Sequence, residues 1–123
     1  MVKLLALLAF IPVTALAQTV ENPTLLPSGM VLMTVKSELP ISLHSATLMD
    51  SSREALDPIG PPRDIPYSGT SSNCEMATPV NGPVSIPFNL PGQAPYSLTL
   101  RFQTPDKAIP SGCREINMTV DVR

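Results

Sequence analysis

The sequence predicts an all-β fold, a small antiparallel β-sandwich of about six strands with one disulfide, and three observations carry that prediction. Apolar residues recur at every second position in several runs, the two-residue period of a strand with one buried face. Pro and Gly cluster between those runs, and all but one of the 15 prolines follow residue 17, which excludes long helices. Two cysteines, Cys74 and Cys113, stand behind a leader that directs export, so they meet oxidising conditions and have only each other to pair with.

The leader is residues 1–17. Lys3 supplies a positive charge, Leu4 to Ile11 an apolar run, Pro12 a break, and Ala15 and Ala17 around Leu16 an A-x-A cleavage site, the pattern of a secretory signal peptide. The run is shorter than the roughly 20 apolar residues of a membrane-spanning helix, so a secreted, extracellular chain without membrane insertion is expected. Residues 18–123, starting at Gln18, then form a single domain. Without Lys3 that domain holds seven Lys or Arg against ten Asp or Glu, scattered along the chain. Such a balance offers no basic patch for nucleic acid or anionic lipid. The sequence sets no oligomeric state.

The elements follow in order. Met30 to Glu38 is a strand with Val31, Met33 and Val35 on one face, interrupted by Leu39-Pro40. Ile41 to Met49 is a second, whose apolar phase slips from Ile41 and Leu43 to Ala46 and Leu48, as a β-bulge near His44 and Ser45 would produce. Residues 50–73 form a long loop, in which SSREAL suits a helical turn capped by Ser51 or Ser52 and ended by Asp57-Pro58. A short strand Glu75 to Val80 and the turn signal Asn81-Gly82-Pro83 come next. Val84 to Leu90 alternates with Val84, Ile86, Phe88 and Leu90 inward, and Pro87, which has no N–H to donate, belongs at a sheet edge. Tyr96 to Gln103 turns Tyr96, Leu98, Leu100 and Phe102 inward. A turn from Thr104 to Gly112 leads into the last strand, where Ile116, Met118, Val120 and Val122 alternate with Asn117, Thr119 and Asp121. Antibody domains carry a Cys-Trp-Cys pattern that is missing here, so the expected sandwich is immunoglobulin-like in shape alone.

Few residues suggest chemistry. The lone histidine, His44, lies in a strand near Ser42 and Ser45 with no nucleophile elbow around it. The acids are dispersed, aromatic residues are too few for a sugar platform, and neither a metal-binding motif nor a glycine-rich phosphate cradle occurs. No enzyme, metal or cofactor is expected. Without a CxxC motif, Cys74 and Cys113 read as a structural staple, stabilising the fold by ~4 kcal/mol through loop closure. Asn117-Met118-Thr119 is an N-glycosylation sequon on an outward-facing position, whereas Asn22-Pro23-Thr24 is excluded by its proline. The loop Ile59 to Gly69 combines stiffening prolines with Arg63 and Tyr67, residue types enriched where proteins bind one another. Its plainer reading is a proline-stiffened crossover.

A short signal peptide, a secreted domain of about a hundred residues opening with Gln18, few cysteines and no enzyme motif together resemble the small secreted proteins of filamentous fungi. Many of these are host-directed effectors, and some effector families are compact β-sandwiches with one disulfide. The resemblance implies a non-enzymatic protein that binds a host or extracellular protein and acts in virulence. A structural component of a cell wall, surface or periplasm is the alternative, and a secreted enzyme inhibitor the next.

Overall fold

In the computed structural model the described residues are 18–69, 74–89 and 92–123, and the expected leader lies outside them. The strands are β1 (Thr19–Leu25), β2 (Met30–Met49), β3 (Ala55–Leu56), β4 (Thr78–Pro87), β5 (Tyr96–Pro105) and β6 (Cys113–Val122). All ladders between them are antiparallel, and no helix occurs among the described residues.

The architecture follows from β2, whose 20 residues take part in both halves of the molecule. Its first half lies between β1 and β4, with Val31 opposite Ile86 and Val35 opposite Gly82. Its second half lies beside β5, with Leu43 opposite Phe102 and Leu48 opposite Leu98, and β6 continues that sheet beyond β5. Between the halves, residues 38–40 shift the register and turn the strand a corner. Two side chains satisfy carbonyls there: Ser37 Oγ donates to Leu39 O at 2.8 Å and Thr104 Oγ1 to Pro40 O at 2.7 Å. The six strands thus form one sheet curled back on itself, and its two halves face each other like the leaves of a sandwich. Backbone bonds from Leu25 N to Arg123 O and from Arg123 N to Pro23 O tie the end of β6 to β1.

The core between the halves is the set of alternating residues that the sequence phase picks out. Val31, Val35, Ile41, Leu43, Leu48, Ile86, Phe88, Leu98, Leu100 and Phe102 are all buried, and Leu90 lies outside the described residues. On β6, Ile116, Met118 and Val120 pack on this core but stay half-exposed. The bulge falls at His44, between the Leu43–Phe102 and Ser45–Arg101 pairs, which returns Ala46 and Leu48 to the core.

Three expectations are corrected, and one strand that the sequence pattern does not mark is added. The break at Leu39-Pro40 does not split β2, because the corner's carbonyls find partners. The Asn81-Gly82-Pro83 turn does not form; those residues continue β4 opposite Lys36, Val35 and Thr34. In place of a helical turn over SSREAL, Asp50 organises a hairpin into β3: its carboxylate accepts from Ser52 N, Ser52 Oγ and Glu54 N. These bonds, the Ser52 hydroxyl foremost, hold the Asp50 carboxyl below its usual range. Finally, β1 was not legible as a strand; it is bulged between Glu21 and Thr24, and Asn22 sits in a left-handed conformation at φ 53°.

Cys74 and Cys113 are disulfide-bonded with Cα atoms 5.9 Å apart, as expected. The bond joins the approach to β4 with the first residue of β6. No helix among the described residues is long and apolar enough to cross a membrane.

Candidate binding surface

Both edges beside the curl's open side need cover, and the segment Ile59 to Gly69 supplies it. On β4, Ile59 N donates to Pro87 O at 2.9 Å, and Arg63 exchanges backbone bonds with Ser85 at 2.8 and 3.4 Å. On β2, Leu43 N donates to Pro66 O at 2.7 Å and Ser68 N to Leu43 O at 2.9 Å. Ser68 Oγ adds a bond to Gln103 Oε1 at 3.2 Å. Between these anchors Asp64 takes a left-handed turn, φ 66°, and Pro62 and Ile65 are driven into the interior. The expected loop is therefore a strap with a fixed backbone, bonded at both ends to strand edges.

The strap separates the two residues that the sequence singles out. Arg63 is exposed on the β4 side, and Tyr67, 38% exposed, lies on the β2 side. Ile59, 60% exposed, was not foreseen; it stands near Pro87 at the strap's start. The Tyr67 ring lies over Gly69, whose left-handed φ of +59° favours glycine at that position. Around that ring a shallow hollow of about 380 Å³ is lined by His44, Ser45, Asp57, Pro58 and Arg101. The phase slip that exposed the bulge in the sequence is the signal for this hollow, because the bulge brings His44 and Ser45 to its wall.

Arg101 is held in place. Its Nε and one terminal nitrogen donate to Glu115 Oε1 at 3.2 and 2.8 Å. The guanidinium's hydrogen bonds lower the Glu115 carboxyl below its usual range, helped by the Arg101 charge, the Asn117 side chain and His44, against partial desolvation. Asn117 is exposed, on the outward position that its sequon requires, and Thr119 Oγ1 shares a 3.2 Å hydrogen bond with Thr99 Oγ1.

A second apolar area lies at the disulfide end of the molecule. Leu39 and Met76 are exposed there, and Pro40, Ala77, Pro105, Cys74 and Cys113 line a broad depression. The hydroxyl nearest in sequence to His44 on its N-terminal side, Ser42, is fully buried. Among the described residues no three of His, Cys, Asp and Glu gather as a metal-binding group. No family model, curated protein or solved structure matches this chain, so the reading of its function rests on this geometry and on the sequence.

Proposed function

We propose that the chain is a secreted, non-enzymatic interaction protein, a host-directed effector in kind, that docks a protein partner through the strap Ile59 to Gly69, with Asn117 as its sugar attachment point. The observation that carries this reading is that Ile59, Arg63 and Tyr67 stand exposed on a backbone already bonded at both ends to the sheet. A free loop loses about 1–2 kcal/mol of backbone entropy per residue on ordering, whereas a pinned one has lost it on folding. Apolar, guanidinium and phenolic groups on such a frame suit a protein surface. Export is supported by the leader pattern and by a disulfide compatible with an oxidising compartment.

The test is capture from host extracts with the disulfide-intact domain as bait, followed by affinity measurement on the recovered partner. Replacing Ile59, Arg63 and Tyr67 together by Ala is expected to weaken binding at least tenfold, about 1.4 kcal/mol, with the melting temperature nearly unchanged. Unchanged affinity overturns the strap's role.

A further inference from the structure

The last strand has an edge that nothing among the described residues covers along most of its length. In an antiparallel ladder a residue's N–H and C=O point to the same side, and successive residues alternate sides. Arg123 turns both groups toward β1, so the odd positions Glu115, Asn117, Thr119 and Asp121 turn theirs away from β5, to the outside. The side chains of Ile116, Met118 and Val120 run along the same edge on the core face, half-exposed. Unpaired backbone groups beside an incompletely covered apolar row are a template for another strand.

We propose that, in copies whose Asn117 carries no sugar, this edge pairs antiparallel with β6 of a second copy, about a two-fold axis at Asn117. The structure selects both the partner and the register. The available window is bounded at one end by β1, which occupies both backbone groups of Arg123, and at the other by the β5–β6 turn, where Cys113 N bonds Ser111 Oγ. Between these bounds the outward residues are Glu115, Asn117, Thr119 and Asp121, and an identical strand running the other way about Asn117 pairs the first three of them with their own counterparts. In that register Asn117 faces its own copy and Glu115 faces Thr119, each pair exchanging backbone bonds. Ile116 faces Met118 twice by symmetry, and Arg114 faces Val120, so no like charges are opposed. Glu115 is already neutralised by Arg101. Neighbouring registers fail: pairing about Met118 sets Glu115 against Asp121, pairing about Thr119 needs the occupied backbone of Arg123, and pairing about Ile116 runs Val120 into Gly112 of the turn.

Sedimentation equilibrium over a range of concentrations tests this, using disulfide-intact protein without N-linked sugar. A concentration-dependent monomer–dimer equilibrium is expected. Met118→Lys, which puts a charge at the apolar contact, and Thr119→Pro, which removes an outward donor while leaving the bonds to β5, are each expected to weaken the dimer at least tenfold. Leu39→Ser, at the disulfide end, is expected to leave it unchanged. Amide exchange on the unaltered protein gives a second readout that needs no variant: the N–H groups of Glu115, Asn117 and Thr119 are expected to gain protection as concentration rises, and that of Asn81 to stay unchanged. A monomer at every concentration, a dimer indifferent to both β6 substitutions, or edge amides that gain no protection overturns the proposal.

Discussion

The edges of β4 and β6 meet the same hazard in opposite ways. On β4 the outward-pointing positions are the odd ones, since Ser85 gives both its backbone groups to Arg63 of the strap. Three of those positions are Pro79, Pro83 and Pro87, which have no donor to expose, and the strap covers Ser85 and Pro87. Asn81 alone keeps a bare outward N–H in that row. On β6 the outward positions are Glu115, Asn117, Thr119 and Asp121, with neither proline nor strap. The difference teaches that proline guards an edge through its phase within the strand, because only an outward-facing proline removes a donor without breaking the internal ladder.

Breaking the link between the edges should have the largest effect. The disulfide ties the approach to β4 to the start of β6 across 39 residues of sequence. Replacing Cys74 and Cys113 together by Ser is expected to cost about 4 kcal/mol on the loop-closure account, read as a lower midpoint in urea unfolding. The phase rule comes next. Val120→Pro removes an inward bond to β5 and strands its acceptor, so it should cost about 2 kcal/mol, while Thr119→Pro should cost well under half of that. Equal losses for the two variants would show that phase does not matter on this strand.

The smallest effect concerns how β6 is held to β5. Because the folded Glu115 carboxyl is lowered chiefly by Arg101, its contribution is present above the unfolded carboxylate pKa and is lost as pH falls through the folded value. The native chain should therefore be slightly more stable than Glu115→Gln at pH 7, with the gap closing on acidification toward pH 3. Both groups are well exposed, so the margin is that of a surface pair. A gap that widened in acid would refute the assignment.

Much of this fold was legible in the residues because strand faces are written in a two-residue period. Along Tyr96 to Gln103 the period places Leu98, Leu100 and Phe102 inward as found, with one exception, Gln103, expected outward but buried and bonded by the Ser68 hydroxyl, and the slip after Leu43 located the bulge at His44. Local signals misled where distant pairing outweighed them. Asn81-Gly82-Pro83 has the chemistry of a turn, yet Gly82 finds Val35 across the sheet and Pro83 points its missing donor outward, so the strand runs on. The first strand carries no alternation, since it is bulged and half-exposed, and only its partner on β2 reveals it. Of the surface, Arg63 and Tyr67 were visible as residue types. Their separation to opposite ends of a strap was not, because it depends on which strand edges the segment bridges.

The shared strand has a consequence for how the chain reaches its native state. Each half of the sheet is built on a different end of β2, and the partners come from far along the chain: Met30 meets Pro87, and Ser42 meets Gln103. Neither half can be completed from neighbouring sequence, and neither can unravel without disturbing the strand on which the other is built. Loop closures of that span come before any reward in contacts, so folding belongs to the slow, millisecond-to-second class and proceeds as one cooperative event.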